Sequence, residues 1–426
     1  MKNNKQKKDC LKLNNIKING NRVDYYFTVT QNLEKFFDSR FHMFIDYGEN
    51  IENIPISILA IPFVSNIMPL MWITDSILWI EEIDRTYYDS LLRVKNAYQN
   101  MYDNYRLKGS IISAKTINNQ YKIKRSALEL FSGGLDAIAT NIRIIDKNPL
   151  LVNIYGWDTD SNDDDRVFQS DKINIKKFSL KNKLDAKFIK SNFATFINSK
   201  VIDKKYKKKL NDSWWHGFQH GMSFIGHAIP LAYKYNIENI FIASSFSLGG
   251  ERHTCSSDPA VDIEIKYASG GVIHDGCELT RQDKIRLVVQ KQKQINSDYP
   301  IRVCSFNDKN CCKCEKCFRT ILGLIAEGVD KSTLEKFGFY INDDLTVFFN
   351  KLMDEKIHLF GVEREQEIHW PSIKRRMIDN KENITETKFV DWFLNYNFID
   401  TRKKAILKYR VENCIFILKR KMLFRE

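Results

Sequence analysis

The segment Ala127-Leu128-Glu129-Leu130-Phe131-Ser132-Gly133-Gly134-Leu135-Asp136 begins with apolar residues, passes through two glycines and continues into a helical pattern. Apolar residues then recur at i, i+3, i+4, i+7 and i+10, at Leu135, Ile138, Ala139, Ile142 and Ile145. This spacing places them on one face of a helix. The stretch therefore predicts a buried strand that ends in a tight turn at the start of a helix.

The turn has the composition of an anion site. Gly133 and Gly134 lack Cβ atoms, so they can adopt unusual dihedral angles and let a ligand approach the backbone. Their amides, the first amides of the helix and the Ser132 hydroxyl are expected to converge, and such a nest binds phosphates. The chain contains no Gly-x4-Gly-Lys-Ser/Thr sequence, which excludes the P-loop of kinases and GTPases. An ordinary strand-turn-helix corner is the simpler alternative.

Strand and helix patterns alternate between residues 120 and 320. The patterns predict strands at 127–131, 150–155, 173–176, 239–244 and 301–303, and helices at 135–146, near 183–200, at 213–234 and at 281–293. Such alternation predicts an α/β fold with a doubly wound parallel sheet. Ligands of these sheets bind beyond the carboxyl ends of the strands.

The flanking regions have other patterns. Residues 1–118 show period-two stretches at 23–30, 42–47, 54–62 and 71–81 and a helical pattern at 85–102, which predict an N-terminal α+β domain. Residues 119–328 form the predicted nucleotide-binding domain, and residues 329–426 a helical C-terminal region. The most apolar segment, 54–80, contains Pro55, Pro62 and Pro69, which argue against a membrane helix and favour short buried strands.

The cysteines give an independent signal. A predicted strand ends at Cys304, and Cys311, Cys314 and Cys317 follow with two residues between successive members. Four thiolates from a strand end and a knuckle-like loop suit a tetrahedral Zn²⁺ of structural type, with Cys312 as the spare thiol. An iron–sulfur cluster is the alternative. No secretion signal is seen, so a disulfide framework is not expected.

A histidine-rich helix is predicted near residue 220. His216, His220 and His227 fall within about 40° of one another on a helix, beside a stripe formed by Gly217 and Gly221. The histidines could face the nucleotide loop as acid–base groups or phosphate ligands. A His-x3-His metal site is a second interpretation, although the Glu of the His-Glu-x2-His motif is missing. The simplest interpretation is a closely packed core helix.

The Ser-Gly-Gly-Leu-Asp sequence resembles the pyrophosphate loop of the N-type ATP pyrophosphatases, which cleave ATP between its α- and β-phosphates. That family usually has Ser where this chain has Ala137. Together with the four cysteines about 170 residues later, the loop looks like that of the 7-cyano-7-deazaguanine synthases (QueC). The segment 280–285, with Thr280 and Asp283 spaced as a near-capping box, resembles a helix start of the same enzymes. The resemblance covers roughly residues 124–328.

The resemblance implies an ATP-dependent ligase that binds ATP and Mg²⁺ at Ser132, Gly133, Gly134, Leu135, Asp136 and Ala137. A carboxylate such as 7-carboxy-7-deazaguanine would attack the α-phosphorus, release pyrophosphate and form an acyl-adenylate, from which an amine displaces AMP. Ser132, Asp136, His216 and His220 are the predicted catalytic residues. In the synthases a loop reads the purine-like substrate through a carboxylate, which makes Ser244, Asp258 and Asp262 candidates here. An acidic segment, 158–165, could hold Mg²⁺ through water.

The added terminal regions resemble the layout of QueC-like proteins in anti-phage operons of the Qat and type IV CBASS kinds. That resemblance implies that the acid is joined to an amine of a co-encoded partner protein. An enlarged synthase that uses ammonia is one alternative, and a tRNA-modifying pyrophosphatase is another. A zinc-stabilised nucleotide-binding or scaffold protein is the non-enzyme alternative. Cys255 and Cys277 could be nucleophiles, but neither has an evident base in the sequence.

Composition favours a large cytoplasmic protein without a membrane segment. The chain has 426 residues, of which 43% are hydrophobic, enough for two or three domains with a core each. Its first residues, Met1-Lys2-Asn3-Asn4-Lys5, lack the apolar region of a signal peptide. The net charge of +13 would attract nucleic acid, but the basic residues are spread widely. A homodimer is one option for its assembly.

Overall fold

The computed structural model describes residues 8–38, 42–156, 164–245, 254–304, 309–357 and 369–423. The chain divides into two compact units, Met1–Glu278 and Leu279–Glu426. The predicted boundaries at 118 and 328 do not coincide with this division, because the first unit extends through most of the predicted nucleotide-binding domain.

Among the described residues, eleven strands of the first unit form one mixed sheet. These strands are β1 Cys10–Asn19, β2 Arg22–Val29, β3 Met43–Asp46, β4 Ile77–Asp84, β5 Ser110–Ile117, β6 Arg125–Leu130, β7 Leu150–Tyr155, β8 Ala186–Ser191, β9 Ile237–Ala243, β10 Lys266–Tyr267 and β11 Gly270–Asp275. Their order across the sheet is β10-β11-β9-β6-β7-β8-β3-β2-β1-β4-β5.

The strand β6 is the centre of a doubly wound arrangement. Moving along the chain, β7 and β8 are added on one side of β6, whereas β9 and then β11 are added on the other side. All neighbours within β11-β9-β6-β7-β8 are parallel. The direction of winding therefore reverses between β6 and β9. This switch point is where ligands of open α/β sheets bind, beyond the carboxyl ends of the strands.

The N-terminal strands continue the same sheet. The β3 strand pairs antiparallel with β8, with Ile45 opposite Ser191, and the sheet then proceeds through β2, β1, β4 and β5. Without β3, the strand β8 would be an open edge that could pair with another chain. Residues on the two sides of the predicted boundary at 118 thus share one sheet.

Nine α-helices of four residues or more are described in the first unit. They are α1 Gln31–Glu34, α2 Ile56–Leu59, α3 Ile61–Thr74, α4 Arg85–Gln99, α5 Leu135–Ile144, α6 Asp164–Lys181, α7 Ser199–Leu210, α8 His220–Lys234 and α9 Pro259–Asp262. A π-helical turn at Trp215–Gln219 leads directly into α8. The predicted helices at 85–102, 135–146 and 213–234 are confirmed.

The prediction of strands at 54–62 is wrong, and the prediction at 71–81 is only half right. The apolar segment forms α2 and α3, and the strand β4 begins at Ile77. Pro62 lies in the first turn of α3, where no backbone N–H is needed. The helix is buried on all sides, so its sequence has no polar face that would show a helical period. Among the described residues, no helix is both long enough and apolar enough to cross a bilayer.

The predictions at 173–176 and near 183–200 are also wrong. Residues 173–176 lie inside α6, whereas β8 occupies the centre of the predicted helix and is followed by α7. The buried residues Phe168, Ile175 and Phe178 of α6 are spaced at i, i+7 and i+10, which is a helical period. The short alternation around Ile173 hid that longer pattern.

The second unit is helical where it is described. Its helices are α10 Arg281–Ile295, α11 Glu315–Ala326, α12 Leu345–Lys356, α13 Trp370–Asp379, α14 Thr387–Asn395 and α15 Phe398–Leu423. The predicted capping box is confirmed, since Thr280 Oγ1 accepts from the amide of Asp283 at 3.1 Å and Asp283 accepts from the amide of Thr280 at 3.0 Å. The strand predicted at 301–303 is not formed, although Ile301 donates to the Phe337 carbonyl.

Candidate functional site

The glycine loop lies at the switch point of the sheet. Gly133 has a φ of +74°, and nothing lies within 4 Å of the position that a Cβ atom would take there. Gly134 is the N-cap residue of α5 and donates its amide to Ser132 Oγ at 3.2 Å. Ser132 is exposed. The first amides of α5 have no partner within the helix by its geometry, so they point toward the same open space.

A second serine reaches the same edge from the neighbouring strand. Glu129 of β6 is the parallel partner of Phe241 of β9. Ser132 and Ser244 each follow their partner residue by three positions, so they leave the sheet at the same level. Ser244 is fully buried, and its amide donates to the Asp275 carbonyl at 2.8 Å. The structure therefore brings Ser132 and Ser244 to one edge of the sheet.

A polar network lies behind the loop. The carboxylate of Glu129 accepts from Asn141 Nδ2 at 2.7 Å, and the carboxylate of Asp275 accepts from Thr140 Oγ1 at 2.8 Å and contacts Arg143 Nε at 3.2 Å. Full burial, together with the negative charge of Asp275, raises the pKa of Glu129 well above its ordinary value. This network fixes α5 against β6 and β11. The sequence could have indicated this network, because Glu129 is the one charged residue of the apolar segment 127–131.

Other loop residues differ in accessibility. Asp136 is partly exposed in the first turn of α5, whereas Leu135 and Ala137 are buried, with Ala137 4% exposed. Asp136 is thus reached by solvent, and the methyl group of Ala137 packs into the protein. The acidic segment 158–163 lies outside the described residues, and Asp164 and Asp165 begin α6.

Two of the three predicted histidines lie in one cluster. His216 Nδ1 is 3.0 Å from Asp212 Oδ2, and the carboxylate of Asp212 also accepts from Thr254 Oγ1 at 2.6 Å. Hydrogen bonding to Asp212 and to Cys255 raises the pKa of His216 to about 10. About half of the His216 side chain is exposed, so solvent reaches the cluster from this side.

The cluster also contains Cys255, to which the sequence assigned no base. Its sulfur atom lies 3.7 Å from Nε2 of His220. Burial raises the pKa of the Cys255 thiol, but hydrogen bonds to His216 and His220 outweigh burial and lower this pKa to about 7. Asp212, His216, His220 and Cys255 are called the thiol cluster below. The expectation that Cys255 lacks a base is wrong, because residues 35 or more positions away provide it.

His227 has a different role from the other two histidines. It is fully buried, its Nδ1 lies 2.7 Å from the Ser223 carbonyl and its Nε2 lies 3.0 Å from Ser191 Oγ. Burial lowers the pKa of His227 to about 4, so the ring is neutral. His227 is a core histidine. The glycine stripe does serve close packing, since a Cβ atom on Gly221 would lie 2.4 Å from the Ser256 carbonyl oxygen.

The two aspartates predicted to bind substrate have structural partners. Asp258 caps α9 by accepting from the Ala260 amide at 2.8 Å. Asp262 Oδ2 accepts from Ser257 Oγ at 2.8 Å and lies 2.8 Å from Nδ1 of the buried His274. Burial raises the pKa of Asp262. Their role in substrate binding stays a prediction, and a substitution of either would also disturb these contacts.

The four predicted metal ligands of the second unit come together. The sulfur atoms of Cys304, Cys311, Cys314 and Cys317 all lie within 4.8 Å of one another, and those of Cys311 and Cys317 are 3.9 Å apart. Four thiolates around one tetrahedral Zn²⁺ at about 2.3 Å lie about 3.8 Å apart, so the set fits a single metal ion. The Cys317 thiol beside it lowers the pKa of Cys314 to about 5.

Asn310 shapes the loop that carries these cysteines. Its side-chain oxygen accepts from the amides of Val303 and Cys304, and its side-chain nitrogen donates to the carbonyls of Ile301 and Gly338. Cys312 adopts a positive φ of 56°, and its sulfur lies 3.7 Å from the Asn310 carbonyl, outside the set of four. The choice of Cys312 as the spare thiol is confirmed.

Comparison with models of protein families, with curated proteins and with solved structures finds no match to this chain.

Proposed function

We propose that this protein is an ATP-dependent ligase that activates a carboxylate as an acyl-adenylate, releases pyrophosphate and joins the acyl group to an amine. The observation that carries this proposal is the open glycine loop at the switch point between β6 and β9. Such a loop offers backbone amides and a hydroxyl where an α/β sheet binds its ligand. Phosphate sites serve many reactions. The resemblance of the Ser-Gly-Gly-Leu-Asp sequence to the pyrophosphate loop favours ATP cleavage among them.

The loop would act mainly by electrostatics. As the carboxylate attacks the α-phosphorus, negative charge moves onto the departing pyrophosphate. The amides of Gly134 and of the first turn of α5, with the Ser132 hydroxyl, are placed to donate hydrogen bonds to those oxygens. Asp136 is the residue at the loop that could hold Mg²⁺, which neutralises phosphate charge when bound. The network of Glu129 and Asp275 holds the helix in place.

The acid that we propose is of the 7-carboxy-7-deazaguanine kind, and the acceptor is a primary amine, on a co-encoded partner protein in the leading version. Asp258 and Asp262 lie in the loop that would read a guanine-like edge. An enlarged synthase that uses ammonia and goes on to the nitrile is the alternative within the same chemistry. Antiviral defence would be the setting of the protein-conjugating version.

We propose that the four-cysteine cluster binds one structural Zn²⁺. The spacing supports this choice, because four sulfur atoms that all lie within 4.8 Å of one another surround a single ion, whereas an iron–sulfur cluster places several iron and sulfide ions between its cysteines. The thiolates already lie at separations suited to one tetrahedral ion. A catalytic zinc site has only three protein ligands and keeps its fourth position open for water or substrate. Four cysteines would fill all four positions, as in a structural site.

One observation favours a second candidate, a tRNA-modifying pyrophosphatase. The helix α7 exposes six lysines, Lys200, Lys204, Lys205, Lys207, Lys208 and Lys209. An exposed basic helix attracts a polyanion. A preparation that adenylates tRNA and not a free acid would favour this candidate over the ligase.

The test is release of pyrophosphate from ATP with a panel of acids, 7-carboxy-7-deazaguanine first. Ser132→Ala and Asp136→Ala are each expected to lower release by at least about 100-fold, the usual cost of a lost oxyanion or phosphate contact. Neither change removes core volume, and losing an acid in the first turn of α5 costs only about 0.3–1 kcal/mol of stability.

Two control variants accompany this experiment. Asp146→Ala removes an exposed aspartate beyond the other end of α5 and is expected to leave release unchanged. Ala137→Ser is expected to preserve or raise release, since it restores the hydroxyl of the family pattern. Normal release in both Ser132→Ala and Asp136→Ala would refute the role of the loop.

A further inference from the structure

The thiol cluster has the geometry of an activated nucleophile. A backbone carbonyl fixes the proton on His220, since Nδ1 lies 2.9 Å from the Trp215 oxygen, which can only accept. Nδ1 therefore carries the hydrogen, and Nε2 presents its lone pair to the Cys255 thiol at 3.7 Å. This is the arrangement of nucleophile, base and orienting group that covalent catalysis requires. The π-helical turn at Trp215–Gln219 supplies the carbonyl at the required position.

The segment that carries Cys255 is held rigidly on both sides. Thr254 donates to Asp212, and the amide of Ser256 donates to the His216 carbonyl at 2.7 Å. Ser256 Oγ also accepts from the Gly221 amide at 3.0 Å. A nucleophile that must meet its substrate in one geometry benefits from such support, because less ordering remains for the reaction step. Cys255 is buried, whereas Cys277, which also follows the sheet, is partly exposed and has no comparable set of contacts in the described structure.

The thiol cluster and the glycine loop lie at the same edge of the sheet. The helix α8 packs against β9 and ends at Lys234, three residues before β9 begins, so the two run in opposite directions. Fifteen helical residues span about 22 Å and seven strand residues about 23 Å. His220, the first residue of α8, is therefore level with the carboxyl end of β9, where Ser244 follows. The parallel strand β6 ends at this edge with Ser132.

We propose that Cys255 accepts the acyl group from the acyl-adenylate as a thioester and passes it to the amine; this inference rests on the proposed function. In the first step the Cys255 thiolate attacks the carbonyl carbon, a carbon–sulfur bond forms, and the bond from that carbon to the adenylate oxygen breaks to release AMP. His220, which took the proton of the thiol, returns it to water.

In the second step the primary amine attacks the thioester. A carbon–nitrogen bond forms, the carbon–sulfur bond breaks, and Nε2 of His220 accepts the proton that the amine loses. The thiolate and its imidazolium partner are thereby restored, and no oxidant or reductant is needed. A covalent carrier would keep the activated acid from hydrolysis until the acceptor amine arrives.

The experiment incubates the full-length protein with ATP, Mg²⁺ and 7-carboxy-7-deazaguanine without amine, then stops the reaction in acid and measures the intact mass. The proposal predicts an increase equal to the acid minus one water, on the peptide that contains Cys255, which hydroxylamine removes. Cys255→Ser is expected to form no adduct and to have a ligation rate at least about 100-fold lower. Exchange of pyrophosphate into ATP should continue in this variant. Cys277→Ser is the matched control and is expected to keep the adduct.

The outcomes separate this inference from the proposed function. The thioester is overturned if Cys255→Ser still exchanges pyrophosphate and ligates at the unaltered rate, and if the unaltered protein forms no adduct. The ligase assignment stands in that case. Absence of exchange in the unaltered protein would overturn the ligase assignment, and the thioester with it. The rate of alkylation by iodoacetamide at pH 7 can be measured without the carboxylic acid substrate. Cys255 should react at least about tenfold faster than Cys277, and His220→Gln should remove this difference in rate. Equal rates would contradict the activated thiol.

Discussion

At the scale of single residues, the site is defined by groups whose surroundings change their chemistry. Two histidines lower the pKa of Cys255, and burial raises the pKa of Glu129. Neither property can be read from the residue alone. Cys255 and His220 are 35 positions apart along the chain, and contacts such as the close packing of Gly221 against Ser256 bring them together. The predicted cluster of three histidines therefore divides into two reactive rings and one core ring.

The buried carboxyl of Glu129 makes stability depend on pH. Its pKa in the folded protein is raised above the ordinary 4.5, so the folded state binds more protons than the unfolded state. Stability is then fully present below pH 4.5 and falls as the pH rises toward the folded pKa. Glu129→Gln removes this dependence while keeping an acceptor for Asn141. The variant is expected to be more stable than the unaltered protein at pH 8 by at least about 1 kcal/mol, since each pKa unit corresponds to about 1.4 kcal/mol.

The measurement is the free energy of unfolding by denaturant at pH 4 and at pH 8. The gain from Glu129→Gln should be close to zero at pH 4 and should appear by pH 8. Glu238→Gln, at an exposed position of the neighbouring strand β9, is the matched control and should show no such difference. A gain of the same size at both pH values would mean that Glu129 is ionised in the fold.

At the scale of elements, the helices α5 and α3 show what an apolar pattern can and cannot indicate. The helix α5 was predicted from its apolar stripe, and its N-terminus from the two glycines. The helix α3 was missed because thirteen of its fourteen residues are buried, which leaves no polar face to mark a period. The four cysteines were predicted from their spacing, because closely spaced cysteines are typical of structural zinc sites.

The metal site is expected to hold about one zinc per chain and to stabilise the second unit. Serine at Cys304, Cys311, Cys314 or Cys317 should abolish metal binding and lower the unfolding temperature, because metal binding contributes directly to folding free energy. Elemental analysis and thermal unfolding measure the two effects. Cys312→Ser is the matched control in the same loop and should keep full occupancy. Full occupancy after loss of Cys304 would show that the fourth ligand lies elsewhere.

At the scale of the whole molecule, the extent of the sheet could not be predicted. The period-two stretches of the N-terminal region correctly predict β2 and β3, but nothing in their sequence indicates that β3 pairs with β8, about 145 residues away. Pairing at that separation is decided by which edge is left open after the parallel strands have formed. The doubly wound order around β6, in contrast, follows from the alternation of strands and helices, and it places the loop at the switch point.

Attack by a carboxylate on the α-phosphorus of ATP transfers one carboxylate oxygen to AMP, and this transfer can be measured. The protein is incubated with ATP, Mg²⁺ and 7-carboxy-7-deazaguanine whose carboxylate carries ¹⁸O, in unlabelled water, and the nucleotide product is analysed by mass spectrometry. Attack by the carboxylate predicts AMP that contains one ¹⁸O atom, with pyrophosphate as the other product. Formation of ADP, or of AMP without the label, would contradict attack by the carboxylate on the α-phosphorus.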